Sequence, residues 1–155
     1  MLSALAPSLF VRAMNKVLLD TDIFSEVLKG RDLSVKRVAK SYLSEHGVLT
    51  LSAATVLEVS KGLYRTRHPE ALPGLLEVFE AHEILPIRTE EARLAGQILA
   101  ELDRHGIPVG VIDPIIAATA IIYRLPLITG NERHFQRIHD LGFDLEIGNW
   151  RHVRV

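Results

Sequence analysis

Three carboxylates in this sequence stand where an α/β protein carries its working side chains. Asp20 ends the first apolar run, Glu58 lies within a helical pattern, and Asp113 comes directly before Pro114. Side chains at the carboxyl ends of strands face the crevice in which α/β proteins bind their ligands. Because the chain has no cysteine, its chemistry must come from carboxylates, hydroxyls, histidines or basic groups. Carboxylates in such a place act as acids, bases or ligands of hard cations.

Each of these carboxylates also has an ordinary structural explanation. Asp113 can cap a helix that starts with Pro114, and Asp22 can cap the helix that follows the first strand. Glu58 can pair with Lys61, three residues along, on a solvated helix face. No single carboxylate therefore decides the function, and the ordered set carries more weight than any member.

Apolar runs predict four strands, separated by helical patterns. They cover residues 17–19, 48–51, 84–87 and 125–129. Alternation of strands and helices predicts an α/β domain with a mainly parallel central sheet. The nearly continuous apolar segment 115–122 predicts a helix that is buried on several sides.

Three further helices follow from apolar spacing, and each has a predicted inner face. The first is capped by Ser34, ends before Gly47, and carries its cations outward. The second begins near Ser52 and turns Glu58 away from the core. The third opens at Thr89 and stops at Gly106. The predicted inward residues are, in order, Val35, Val38, Ala39, Tyr42 and Leu43; Val56, Leu57, Leu63 and Tyr64; and Ala92, Ala95, Leu99 and Leu102.

Length and composition predict one domain. The chain has 155 residues, 48% of them hydrophobic, and a formal net charge of -1, which argues against binding nucleic acid through bulk positive charge. We expect a single domain at 14–150 and a tail at 151–155. The segment 1–13 is either a loose extension or sequence ahead of a true start at Met14. With no secretory signal, no membrane-spanning run and no cysteine, a cytoplasmic protein is expected.

Four motifs, taken in order, closely resemble a PIN domain. They are Leu-Leu-Asp-Thr-Asp at 18–22, Ser-Ala-Ala-Thr-Val-Leu-Glu-Val at 52–59, Val-Ile-Asp-Pro-Ile-Ile-Ala-Ala-Thr-Ala at 111–120 and Leu-Ile-Thr-Gly-Asn-Glu-Arg-His-Phe at 127–135. Within that family the chain resembles the VapC-type toxins of bacterial toxin-antitoxin pairs, from Met14 to Trp150. The resemblance implies a three-layer α/β/α domain that cleaves RNA phosphodiester bonds with Mg2+ or Mn2+.

The same resemblance assigns the site residues. Asp20, Glu58 and Asp113 match three acids of the family. The fourth position falls at Asn131, where many relatives have aspartate, and the neighbouring Glu132 is a candidate substitute.

A physical reason supports a metal in such a cluster. Crowded carboxylates repel one another unless a cation neutralises them, and Mg2+ prefers oxygen ligands. We expect Asp20 and Asp113 to be the metal ligands and Glu58 to orient or deprotonate the attacking water. Thr21 and Thr129 are predicted to bind a ligating acid or a substrate phosphate, although each is equally explained as a turn hydroxyl.

The resemblance also implies three partners: a cognate antitoxin protein, an RNA substrate and a second copy of the chain. Phe24, Val27 and Leu28 are candidate antitoxin contacts, with core packing as the alternative. Two basic groups are candidates for RNA binding: Lys61, Arg65, Arg67 and Arg133, or the face formed by Lys36, Arg37 and Lys40.

Two competing hypotheses remain open at this stage. The first motif also resembles the start of haloacid-dehalogenase-type phosphatases, but that reading leaves Glu58 and Asp113 unexplained. The other hypothesis is a PIN-like module that binds RNA or protein and has lost its activity through Asn131. Loss of metal-dependent cleavage in a folded Asp20→Asn variant would favour the nuclease over the module.

Overall fold

Five short parallel strands form the centre of the molecule in the computed structural model, which describes residues 15–153. The sheet order is β3-β2-β1-β4-β5, with every neighbouring pair parallel. The strands are β1 Leu18–Leu19, β2 Thr50–Ser52, β3 Glu83–Leu85, β4 Leu127–Ile128 and β5 Ile147–Gly148. The predicted extension 1–13 and the alternative start Met14 lie outside the described residues.

Seven α-helices connect these strands within the described part of the chain. They are α1 Thr21–Lys29, α2 Leu33–His46, α3 Ala53–Arg65, α4 Leu72–Glu80, α5 Thr89–Arg104, α6 Ile112–Tyr123 and α7 Glu132–Asp140. Two 3-10 turns, Pro69–Ala71 and Trp150–His152, complete the set. Among residues 15–153, no helix combines the length and apolar character needed to cross a membrane.

Hydrophobic cores lie on both faces of the sheet, as neighbouring residues of β1 demonstrate. Successive strand residues point to opposite faces, so Leu18 packs in one core and Leu19 in the other, both fully buried. The core around Leu18 includes residues of α5, α6 and α7, whereas the core around Leu19 includes residues of α1, α2 and α4. This arrangement confirms the predicted three-layer α/β/α domain with a parallel central sheet.

The register of the sheet determines which residues meet at its carboxyl edge. Leu19 pairs with Leu51 of β2 and with Ile128 of β4. The residues that directly follow Leu19 and Ile128 therefore lie at the same level of the sheet, which places Asp20 beside Thr129. The Asp20 amide donates to the Ile128 carbonyl oxygen at 2.8 Å and continues the ladder by one bond.

The first predicted helix is correct in its packing and wrong in its cap. Every predicted inward residue of α2 is buried or half-buried, and Gly47 follows the helix with a positive φ of 77°. However, Asp32 rather than Ser34 is the N-cap, since its side chain accepts from the Val35 amide at 3.0 Å. The Ser34 hydroxyl instead donates to the Trp150 carbonyl oxygen at 2.7 Å and holds the end of the described chain against α2.

The inner faces of two other helices differ from the prediction. On α3, Leu57 and Tyr64 are exposed, by 52% and 59% of their surface. On α5, Ala92 is exposed, and the inner face instead contains Glu91, which is fully buried. The sequence analysis did not include Glu91 in this inner face, because the hydrogen bonds that satisfy its carboxylate are visible only in the structure.

Strand β5 was not predicted. It has only two residues, Ile147 and Gly148, both half-buried, which is too short a run for an alternation signal. The four predicted strands are present, although the structure shifts or shortens each by a few residues.

Glu91 provides a test of the packing between α5 and its preceding loop. Its carboxylate accepts from the Arg88 amide at 2.8 Å and from the Arg88 guanidinium at 2.9 Å. We expect Glu91→Ala to lower the free energy of unfolding by about 1–2 kcal/mol, because a helix-terminal amide loses its acceptor. Urea denaturation of both proteins measures the difference.

The exposed neighbour Glu90 is the matched control for this experiment. Glu90→Ala should change the free energy of unfolding by less than about 0.5 kcal/mol, as surface substitutions usually do. Equal losses in the two variants would contradict the structural role assigned to Glu91.

Candidate active site

An acidic cleft lies at the carboxyl edge of the sheet, above the central strand. Its volume is about 260 Å³. The chain runs from β1 to β2 on one side and returns to β4 on the other, so the cleft stands where the strand order reverses, the usual ligand position in such sheets. The cleft is lined by Asp20, Thr21, Asp22, Glu58, Asp113 and Asn131. The structure thus brings together all four predicted catalytic residues.

Asp20 is held by two hydrogen bonds in a buried position. It is the N-cap of α1, where Oδ1 accepts from the Thr21 amide at 2.8 Å. Its other oxygen, Oδ2, accepts from the Thr129 hydroxyl at 2.7 Å, and that hydroxyl accepts from the Asn131 amide at 2.9 Å. Thr129 therefore makes both predicted kinds of contact, one with the carboxylate of Asp20 and one within its own turn.

The pKa of Asp20 is raised from its ordinary value of 3.8 to about 7. Burial is the main cause, since a desolvated carboxylate loses the stabilisation that water gives its charge. The negative charges of Asp22 and Asp113 raise the pKa further, while the bonds from Thr129 and the Thr21 amide lower it. A cation in the cleft would favour the ionised form.

Asp113 faces the same cleft from α6, and its carboxylate contacts a histidine that the sequence analysis did not connect with it. The helix begins at Ile112 after Val111, and no side chain caps it, so the predicted capping role of Asp113 is wrong. The Asp113 carboxylate is partly exposed, and Oδ2 lies 3.3 Å from Nδ1 of His134 in the first turn of α7. Nothing in the sequence signals this contact, because the two residues belong to different helices.

Glu58 and Thr21 approach the cleft from α3 and α1. Glu58 is half-buried, and the side of α3 that carries it faces the cleft as predicted. The Thr21 hydroxyl donates to the hydroxyl of Thr55 at 3.1 Å, and Thr55 is fully buried. Thr55 therefore orients Thr21 at the rim, a role that the sequence analysis did not assign.

Asp22 is not the N-cap that the sequence analysis predicted, although its Oδ1 accepts from the Ile23 amide in the first turn of α1 at 2.7 Å. Asp20 occupies the N-cap position, and Asp22 lies in the first turn of α1. One Asp22 oxygen, Oδ2, accepts from the backbone amide of Gly130 at 2.9 Å. This bond connects α1 with the loop after β4 on the side of the cleft that carries Asn131.

Glu132, the candidate substitute for a fourth acid, is not among the residues that line the cleft. Its Oε2 accepts from the Asn149 side chain at 3.0 Å and lies 3.6 Å from His152 Nδ1. Both contacts hold Glu132 outside the set of residues that lines the cleft. Asn131 stays at the cleft, at the start of α7.

The donor set of the cleft fits a hard divalent cation that keeps part of its water shell. The side chains that line it offer carboxylate, hydroxyl and amide oxygens and no sulfur or imidazole. Within residues 15–153, no three His, Asp or Glu side chains are arranged closely enough to coordinate a metal ion together. Mg2+ commonly binds through only one or two carboxylates plus water and phosphate oxygens, so the two observations agree.

The fold and the cleft define an α/β protein whose candidate site lies at the carboxyl edge of a parallel sheet. Residues 17–141 match the PIN domain family, and the chain belongs to that family. The resemblance found in the four motifs is thereby confirmed. The Glu58 and Asp113 positions that the phosphatase hypothesis left unexplained belong to the same cleft as Asp20.

Two curated relatives cover nearly the whole described domain. The tRNA(fMet)-specific endonuclease VapC of Shigella flexneri is 33% identical over 129 residues, which are 83% of this chain and 96% of the relative. Ribonuclease VapC2 of Haemophilus influenzae is 32% identical over 138 residues, or 88% of this chain and 99% of the relative.

Solved structures with the same fold include two bacterial complexes. The DNA-bound VapBC of Salmonella typhimurium has 31% identity and a TM-score of 0.72. FitAcB of Neisseria gonorrhoeae has 28% identity and a TM-score of 0.70. Each comparison covers 88% of this chain and 99% of the neighbour.

The raised pKa of Asp20 predicts that this residue destabilises the metal-free protein. The folded state holds the proton up to a pH of about 7, whereas an unfolded chain releases it near 3.8, so the free energy of unfolding falls as pH rises between these values. We expect Asp20→Asn to raise the free energy of unfolding at pH 8 by about 2–4 kcal/mol, with the gain vanishing near pH 4. Denaturation in EDTA buffers measures it.

Asp103, an exposed carboxylate in the last turn of α5, serves as the control. Asp103→Asn should leave stability within about 0.5 kcal/mol at both pH values. A loss of stability in Asp20→Asn at pH 8 would show that the buried charge is stabilised without a cation, contrary to this prediction.

Proposed function

We propose that this PIN domain is the endoribonuclease toxin of a toxin-antitoxin pair and that it requires a divalent metal ion. The observation that carries the proposal is the meeting of Asp20, Glu58 and Asp113 in one cleft, although they come from three distant parts of the chain. Relatives named as VapC ribonucleases support the reaction class.

Asp20 and Asp113 are the residues that would hold Mg2+ or Mn2+. Asp20 precedes α1 as its N-cap and Asp113 lies in α6, and each has a hydrogen-bonding partner, Thr129 or His134, that orients its carboxylate. Such orienting contacts are typical of metal-ligating carboxylates. The bound ion would supply positive charge that offsets the charge developing on the phosphate and the leaving oxygen.

Glu58 is the proposed base of the reaction. It is half-buried at the cleft, and it would orient a water for attack on phosphorus and accept its proton. Thr21 lies at the rim beside Thr55, and its hydroxyl would donate to a phosphate oxygen on turning away from Thr55. No side chain of the protein has to form a covalent bond with the substrate.

The proposed substrate is RNA in a single-stranded or looped form, whose bases and backbone reach an open cleft without disrupting a duplex. Exposed cations on the same helix as Glu58 and in the loop after it, namely Lys61, Arg65 and Arg67, would contact the phosphates, together with Arg133 of α7. Cellular RNA as a substrate also implies the cytoplasmic location expected from the sequence.

Cleavage of total RNA by the purified chain tests the proposed reaction. With Mg2+ or Mn2+ we expect discrete products, and with EDTA none. A variant carrying both Asp20→Asn and Asp113→Asn should lose at least about 100-fold in rate, because the site loses both charged ligands. Product bands resolved by electrophoresis measure the rates, and circular dichroism verifies the fold.

Glu132→Gln is the matched control, since Glu132 is adjacent in sequence to Asn131 but bound to Asn149 outside the cleft. It should cleave at nearly the wild-type rate. Equal rates in the wild type and the double variant would assign the cleavage to a contaminant and favour the alternative hypothesis of a PIN-like binding module that has lost its activity.

The proposed protein partner is a cognate antitoxin, in line with the VapBC and FitAcB complexes among the structural neighbours. Of the three predicted contacts, Phe24 is excluded because it is fully buried and stacked on Phe79 at 5.7 Å. Leu28 of α1 is 48% exposed and Val27 is half-buried, so both stay candidates. A homodimer likewise stays a proposal.

Growth of bacterial cells tests the toxin role. Induced expression of the wild-type chain should arrest growth, because cleavage of cellular RNA stops protein synthesis. The Asp20→Asn, Asp113→Asn variant, expressed to the same level, should leave the growth rate unchanged. Arrest by both proteins would argue against toxicity through this cleft.

A further inference from the structure

We propose that Asp22 is a metal-binding carboxylate of the cleft and that it supplies the fourth negative charge that Asn131 does not. The inference rests on the proposed metal-dependent function and concerns the same site. It gives Asp22 a functional role in place of the helix-capping role predicted from the sequence.

The first argument is the placement of the Asp22 side chain. Asp20 is the N-cap of helix α1, and Asp22 lies in the first turn, where its Oδ1 accepts from the Ile23 amide at 2.7 Å. Asp22 lines the cleft together with Asn131, and its Oδ2 accepts from the amide of Gly130, the residue directly before Asn131. The carboxylate of Asp22 and the side chain of Asn131 thus enter the cleft from the same side.

The second argument is the space that Gly130 leaves for this carboxylate. A Cβ atom at position 130 would lie 2.4 Å from Oδ2 of Asp22 and 3.1 Å from Nε of Arg151. A contact of 2.4 Å is too close for any side chain at that position. The glycine therefore permits the Asp22 carboxylate to reach the backbone at the edge of the cleft.

The third argument is charge. Asp20, Asp22, Glu58 and Asp113 line one cleft, and none of the side chains that line it carries a positive charge. Carboxylates gathered in one cleft favour a cation among them. Arg151 lies next to Gly130, but its guanidinium lies 3.1 Å from Asp32 Oδ2 and 3.7 Å from Glu26 Oε2. Arg151 is thus already shared between two other carboxylates.

Binding of Mn2+ alone to the full-length chain, purified free of antitoxin, tests the proposal. Isothermal titration calorimetry or the loss of the free Mn2+ signal in electron paramagnetic resonance gives the dissociation constant without any measurement of activity. Asp22→Asn removes the charge and keeps one acceptor oxygen, so it retains one of the two bonds that Asp22 accepts from the amides of Ile23 and Gly130. We expect it to weaken Mn2+ binding by at least the roughly 10- to 100-fold that loss of an outer-shell partner costs.

A compensating variant makes the test sharper. Asp22→Asn combined with Asn131→Asp restores the number of carboxylates, so its Mn2+ affinity and its RNA cleavage should return to within a few-fold of wild type. Glu132→Gln, which removes a charge outside the cleft, should bind Mn2+ as the wild type does. A folded double variant that stays as weak as Asp22→Asn would overturn the exchange of roles between positions 22 and 131.

Gly130→Ala covers the case in which Asp22→Asn does not fold. It keeps every charge but displaces the Asp22 carboxylate, and we expect weaker Mn2+ binding. Unchanged Mn2+ affinity in folded Asp22→Asn or Gly130→Ala, with cleavage retained, would overturn the assignment of Asp22 and leave the proposed function standing. A wild-type chain that neither binds Mn2+ nor cleaves RNA would overturn both.

Discussion

The buried carboxylate of Asp20 constrains every other group of the cleft. It ends the central strand, at the level where the sheet stops and helix α1 starts. A charge in such a place must be hydrogen-bonded, and its donors are the amide of the next residue and the hydroxyl of Thr129, 109 residues away. The second bond can form only when β4 lies beside β1 in the observed register. The carboxylate is therefore satisfied by the same strand pairing that creates the cleft.

The buried carboxylate in the cleft lowers the free energy of unfolding that the two hydrophobic cores supply. Burial and like charge raise the pKa of Asp20 to about 7, which means that the ionised residue is unfavourable in the absence of a cation. Two apolar cores, one on each face of the sheet, hold the strand ends in position in spite of this cost. Strained or charged groups that a fold tolerates in this way are typical of functional sites.

Features with a strong local signal could be predicted from the sequence. The apolar runs gave four of the five strands, the spacing of Val35, Val38 and Tyr42 gave the buried face of α2, and the ordered motifs gave the family and three acids of the cleft. The features that the sequence analysis missed also have local explanations. Strand β5 is too short for a periodic signal, and Glu91 is a charged residue whose burial depends on hydrogen bonds to Arg88.

Residue types, their order along the chain and the periodicity of apolar positions established the α/β class, the family and the identity of the main acids. The partners of those acids depended on tertiary structure, because they come from elements that are far apart in the chain. Thr129 reaches Asp20 through the pairing of β1 and β4, His134 reaches Asp113 between two helices, and Asp22 in the first turn of α1 also accepts from the Gly130 amide. A capping carboxylate and a site carboxylate look the same in sequence. Only the packing of distant segments determines which amide, hydroxyl or imidazole each of them meets.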